Sequence, residues 1–322
     1  MQKAVVLVAD AKNFAPAVFV VNRLKSLNPP SDTDLVIVSD SDRDIALATE
    51  YGLGCRLVRF DLGLIERSFP VDGHLTQAAY YRVFLPHTFA AEYGRILYLD
   101  CDTYPQEPTI FGVLDVNMHG FAVGGVQDFW SFLGPASAPP MTKTLNSGVL
   151  LIDTRRYLDL RLQASVLEIV ASSSSEKPML DQEAINRALA GDFLPLSPSF
   201  NMSGPFWTSF VRRVCQPVIV HFAGPIKPWH GPRFSVEHPA RAEMERFLPQ
   251  TPWKSFLTQH YGLEQARKHI NQRGFGVGHV APHQHTTVLE DSRIVTYLQT
   301  TVFADVAAGL TTLKLEHLPL LP

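Results

Sequence analysis

Uninterrupted apolar runs alternate with amphipathic segments through the first two thirds of the chain. AVVLVAD (Ala4–Asp10) holds no polar position before Asp10, as in a strand covered on both faces. Over Ala15–Leu27, Val18, Val21 and Leu24 recur about one turn apart and predict a helix. LVIVSD (Leu35–Asp40) reads as a second buried strand. Ser41 to Tyr51 reads as a helix, opened by Ser41 with Asp44 three residues on, in the manner of a capping box. Arg56–Phe60 and Arg95–Leu99 predict a third and fourth strand, followed by strands at Phe121–Val126, Gly148–Asp153 and Val218–Phe222. Helices are expected at Tyr157–Ala171 and Asp181–Ala190, with Ser172–Pro178 as a loop. Strands alternating with helices predict an α/β fold, a mostly parallel sheet of the doubly wound type flanked by helices. Ligands of such sheets lie beyond the carboxyl ends of the strands, and Asp10, Asp40 and Asp100 all fall there.

After about residue 235 the pattern changes. Helix-like segments follow, and GFGVGHVAPHQH (Gly274–His285) has no periodicity at all. This divides the chain into a domain over residues 1–235 and a mainly helical extension over 236–322. At 322 residues, 46% of them hydrophobic, there is ample material for a large core. A net charge of -3 is too close to neutral for a nucleic-acid binder. Cys55, Cys101 and Cys215 are far apart and form no CxxC pair, which suits a reducing compartment rather than a disulfide framework. The apolar run near the start stops at Asp10, too short for a signal segment. No stretch approaches the roughly 18 apolar residues of a membrane span. The expected location is therefore cytoplasmic.

Four motifs carry chemistry. In YLDCDTYP, Asp100 and Asp102 flank Cys101 at the end of a strong apolar strand. Carboxylates at i and i+2 can face one side where a strand gives way to a loop, a hard-oxygen site for Mn²⁺ or Mg²⁺. Taken alone, the pair also fits two aspartates that merely cap a turn. In VIVHFAGPIKPWHGP, His221 ends an apolar strand and can add a third ligand. Gly224 would admit a phosphate to the backbone, and Lys227 would supply a positive charge. In LNSGVLLID (Leu145–Asp153), Asn146 and Ser147 precede a buried strand, placed either to bind hydroxyls or to cap it. In DQEAINRAL, Asp181 and Gln182 open a helix, a position that capping alone favours for Asp.

In order and spacing, VADAKNFA, AYYRVFLP (Ala79–Pro86), RILYLDCD, LNSGVLLID, the DQE helix and HFAGPIKPW resemble glycosyltransferase family 8. That family includes bacterial lipopolysaccharide galactosyl- and glucosyltransferases and glycogenin. The resemblance covers roughly residues 3 to 233 and implies a GT-A type nucleotide-diphospho-sugar transferase fold and a UDP-sugar donor, UDP-glucose or UDP-galactose. It implies that Asp100, Asp102 and His221 hold Mn²⁺, with Gly224 and Lys227 on the diphosphate. Asp10 and Asn13 would lie in the nucleotide pocket, where ADAKNF carries one residue more than the family pattern. Arg82, on the helix before the D-x-D strand, would reach the donor, as would the Asp100–Cys101–Asp102 turn. Asp128 and Asn146 would line the sugar site, with Asp181 and Gln182 beside the sugar ring. Retention of anomeric configuration is implied. Gln182, with Asp181, would then stabilise an oxocarbenium-like transition state while the leaving diphosphate oxygen takes the acceptor's proton.

The resemblance implies a saccharide or surface-glycan acceptor. It also implies a peripheral membrane contact, at the inner face of the membrane, through a basic and aromatic tail. Trp253, Phe256, Tyr261, Arg267, Lys268 and Arg273 suit such a tail, whereas Glu264 and His279, His283 and His285 do not. Two rival activities fit less well. A D-x-D phosphatase expects Thr or Val where Tyr104 stands. A sugar nucleotidyltransferase expects a glycine-rich loop where VADAKNFAP has none. A non-catalytic UDP-sugar binder of the same fold is the remaining alternative.

Overall fold

The computed structural model describes residues 2–60, 69, 77–128, 143–173, 179–204, 206, 211, 215–224, 227–230 and 238–260. The N-terminal pattern becomes β1 (Gln2–Ala9), α1 (Phe14–Ser26), β2 (Thr33–Ser39), α2 (Asp42–Tyr51) and β3 (Arg56–Arg59). Ser41 caps α2, accepting from Asp44 N–H, and Gly52 closes the helix in the left-handed region at φ 70°. A 3-10 helix over Gln77–Phe84 leads through the single turn α3 (Leu85–Thr88) into β4 (Tyr93–Leu99). Next come β5 (Thr103–Pro105), β6 (Val123–Gln127), β7 (Leu145–Asp153), α4 (Thr154–Asp159), α5 (Leu162–Ser172), α6 (Asp181–Leu189), β8 (Leu194–Leu196) and β9 (Ile219–His221).

Seven strands form one sheet in the order β3-β2-β1-β4-β7-β6-β8, and β5 pairs with β9 in a second, small sheet. Within the large sheet β7 alone runs against its neighbours, antiparallel to both β4 and β6, while the other pairings there are parallel. The sheet is therefore mostly parallel, as expected, with one reversed strand. That reversal brings the start of β7, Asn146 to Gly148, to the edge where β4 ends at Asp100.

The apolar runs are continuous because both faces of the sheet are covered. Val5, Leu7, Ile37, Leu97, Leu99, Val149 and Leu151 point into one core. Val6, Val8, Val36, Val38, Ile96, Leu150 and Ile152 point into the other. Where a single helix was expected over Tyr157–Ala171, the chain breaks: Arg161 sits at φ 53°, a left-handed turn that separates α4 from α5.

Within the expected extension, α7 (Pro239–Phe247) and α8 (Phe256–His260) are helical. Ala240, Met244, Leu248, Trp253 and Phe256 are buried in the same core as β1 and α1. Trp253 stacks on Phe14 at 5.3 Å and donates from Nε1 to Asp44 Oδ1 at 2.8 Å. Trp253 and Phe256 are thus core residues and cannot serve as membrane-facing aromatics. Tyr261, Arg267, Lys268, Arg273 and the histidines at 279, 283 and 285 lie outside the described residues. No helix among the described residues is long and apolar enough to cross a membrane.

Candidate active site

Asp100 follows directly on β4, and its N–H donates to Gly148 O at 2.8 Å, which fixes the turn to the start of β7. Two residues on, Asp102 leads into β5. Antiparallel pairing of β5 with β9 sets Thr103 opposite His221, and Phe222 N–H donates to Asp102 O at 3.0 Å. Two distant parts of the chain thus converge. Asp100, Asp102 and His221 each offer one ligand atom, all within 4.8 Å of one another. His221 Nε2 lies 3.3 Å from Asp102 Oδ1 and 3.8 Å from Asp100 Oδ2. Two carboxylates and an imidazole at this separation form a donor set suited to Mn²⁺ or Mg²⁺. The space is kept open by Gly148, where a Cβ would fall 2.2 Å from His221 Cε1 and 2.9 Å from Asp100 Oδ2.

Cations surround the cluster. Lys227 Nζ donates to Asp102 Oδ2 and, at 2.9 Å, to Phe222 O. Burial would push the Asp102 carboxyl up, but Lys227 outweighs it and holds the group well below the usual carboxylate range. Arg82 is buried on the 3-10 helix, not on an α-helix. Its Nη2 lies 3.0 Å from an Asp100 oxygen and its Nε 3.4 Å from Asp181. Nη1 donates to Ser147 O at 2.7 Å. Tyr98 O–H donates to Asp100, and burial pushes its phenol well up despite Arg82. Burial likewise raises the Asp181 carboxyl, against the pull of Arg82.

A polar chain lies beside this cluster. Gln182 Oε1 accepts from Ser147 N–H at 3.1 Å, and its Nε2 donates to Asp128 Oδ2 at 3.0 Å. Asp128 follows β6, so the reversed strand and its neighbour present Asp128, Asn146 and Ser147 at one edge. Asn146 Oδ1 accepts from Gly148 N–H at 3.1 Å and from Asn201 Nδ2 at 2.9 Å.

Other expected residues lie apart from these contacts. Asp10, after β1, accepts at 2.9 Å from both the backbone and side-chain amides of Asn13, which precedes α1. Cys101 turns away from its flanking aspartates and donates from Sγ to Val8 O at 3.1 Å. Gly224 sits just after β9 at φ 101°, a conformation that favours glycine. Asn201 and Tyr98 also contact the ligand residues; Tyr98 opens YLDCDTYP, where only the aspartates suggest chemistry, and Asn201 lies in none of the motifs. The one signal for Asn201 is that it is buried, which only the fold reveals.

The family model "Glycosyl transferase family 8" matches residues 15–232. General stress protein A of Bacillus subtilis is 26% identical over 223 residues, 64% of this chain and 76% of that protein. Lipopolysaccharide 1,3-galactosyltransferase of Salmonella typhimurium is 24% identical over 282 residues, 81% of this chain and 82% of that protein. The crystal structure of galactosyltransferase LgtC with donor and acceptor sugar analogues superposes with TM-score 0.61 at 20% identity. That match covers 75% of this chain and 94% of LgtC, and the common fold is of the GT-A type.

Proposed function

Because the chain belongs to glycosyl transferase family 8, we propose that it moves a hexose, glucose or galactose, from a UDP-sugar to a saccharide or surface-glycan acceptor with retention of configuration. The observation that carries this reading is the Asp100, Asp102 and His221 cluster at the carboxyl edge of the sheet, with Lys227 against it. Mn²⁺ held by the three ligands would act as a Lewis acid on the diphosphate. The galactosyltransferase among the relatives supports a hexose.

Each residue then has a definite task. Lys227 leaves Asp102 to meet the charge that develops on the departing diphosphate, and Gly224 lets the backbone approach it. Arg82 keeps Asp100 in place and balances Asp181, so that both carboxylates stay where a buried cation compensates them. Asp10 and Asn13 face the nucleotide end of the cleft, and the Asp100–Cys101–Asp102 turn the phosphate end. Asp128 and Asn146 contact the sugar. Gln182, held between Ser147 and Asp128, lies beside the sugar ring with Asp181 and stabilises positive charge at the anomeric carbon. The acceptor hydroxyl attacks on the face from which UDP leaves, and the leaving diphosphate oxygen takes its proton.

UDP release from a panel of UDP-sugars, with and without Mn²⁺, tests the proposal. One hexose donor hydrolysed slowly and only with Mn²⁺, with the rate lost in Asp102→Asn, is the expected result. No release from any donor, and no Mn²⁺-dependent UDP binding, would overturn it. Lys227→Met should lower kcat by about 10²–10³, the usual effect of removing one group that stabilises developing charge.

A further inference from the structure

We infer that Asn201 is a positioning residue that fixes which ring nitrogen of His221 is bare, making His221 a metal ligand rather than a hydrogen-bond donor. This rests on the metal reading of the cluster given above. Gly148 N–H is a backbone donor. It lies 3.1 Å from a terminal side-chain atom of Asn146, which must therefore be the amide oxygen. That same oxygen is 2.9 Å from the Asn201 side chain, so Asn201 presents its NH₂ there. The Asn201 oxygen must then face the other way, and it is 2.8 Å from His221 Nδ1. An acceptor facing Nδ1 requires the hydrogen on Nδ1. In a neutral ring that leaves the lone pair on Nε2, the atom turned toward Asp100 and Asp102.

The chain of amides is built to hold this arrangement. Asn201 is 1% exposed and His221 5%, so bulk water does not compete for either. Asn201 ends a 3-10 turn over Pro198–Asn201, and the next residue is locked to β9. Met202 N–H donates to Ile219 O at 2.9 Å, and His221 N–H donates to Met202 O at 3.1 Å. Both ends of the Asn201–His221 bond are therefore anchored by the same backbone pairing. Without the Asn201 acceptor, a neutral His221 can place its hydrogen on Nε2 and donate it to Asp102. That state satisfies the ring and blocks the metal position. Outer partners of this kind typically change metal affinity by about 10–100-fold.

Two readouts test the inference without any measurement of turnover. Mn²⁺ binding to the donor-free protein is measured by electron paramagnetic resonance for the wild type, Asp102→Asn, Asn201→Leu and Asn201→Asp. Wild-type binding that is lost in Asp102→Asn and about 10–100-fold weaker in Asn201→Leu is expected. Asn201→Asp, which keeps an acceptor toward Nδ1, should recover at least part of that loss. Asn201→Leu that is folded by circular dichroism and binds Mn²⁺ as tightly as the wild type overturns the inference and leaves the metal reading standing. A wild type that binds no Mn²⁺ overturns both. The second readout is the nitrogen-15 spectrum of His221 in metal-free wild type, raised in pH until the ring carries a single hydrogen. That hydrogen on Nδ1 supports the assignment, and that hydrogen on Nε2 refutes it. This spectrum decides the matter alone if Asn201→Leu does not fold.

Discussion

Gly148 lies against the Cε1 and Nδ1 atoms of a buried imidazole, and a single methyl group there cannot fit unless a neighbour shifts. Both neighbours are constrained, His221 by Asn201 and Asp100 by its own backbone bond to Gly148. Gly148→Ala should therefore shift the His221 ring, cost about 1–3 kcal/mol in stability and weaken Mn²⁺ binding. Thermal melts and metal titration of the purified variant check this, and near-native values of both would contradict it. The thiols offer a test of another kind. Burial pushes the Cys55 thiol up to about 11 from its ordinary 9.0, and burial raises the Cys101 thiol as well. The thiolate is the reactive form. Alkylation of Cys55 in the native protein at pH 8 should thus be about a hundredfold slower than for an ordinary thiol, rising tenfold per pH unit up to about 11. Mass spectrometry after timed alkylation measures it. Asp100, Asp102 and His221 could be picked out of the sequence because each stands at the end of an apolar run. Asn201 could not, because PSFNMSG has no periodicity and its partners are Asn146 and His221, far away in the chain.

Among the elements, β1, β2 and β4 were legible because strands covered on both faces are apolar at every position. The same property hides direction. Nothing in LNSGVLLID distinguishes a strand that runs against its neighbours from one that runs with them, yet the reversal of β7 is what delivers Asn146 to the site. The break between α4 and α5 was hidden because apolar spacing continues on either side of Arg161, while the left-handed backbone at that residue is not favoured by its side chain. The 3-10 geometry over Gln77–Phe84 was equally unreadable, and it places Tyr80, Tyr81 and Arg82 all in the interior. At the far end, Trp253 looked like a surface aromatic in a basic tail. Its partners Phe14 and Asp44 belong to the first α-helices or their caps, more than 200 residues earlier. Trp253→Ala should cost about 3–5 kcal/mol, seen as a lowered denaturant midpoint. An unchanged midpoint would mean that the segment does not pack where it is placed.

At the level of the whole molecule, the chain closes on itself twice. The segment over residues 238–260 returns to cover α1, and β9 returns to pair with β5. Neither closure can form from neighbouring sequence, because Thr103 and His221 lie on opposite sides of most of the large sheet's later strands in chain order. Contacts of such separation cost loop-closure entropy before they return any energy, so they form late. The three-residue pairing of β5 with β9 is also the step that joins His221 to the aspartates. If the cluster holds a divalent ion as proposed, a refolding chain should therefore regain its circular dichroism first and its hold on that ion last, which would make the ion a clock for the final moment of folding.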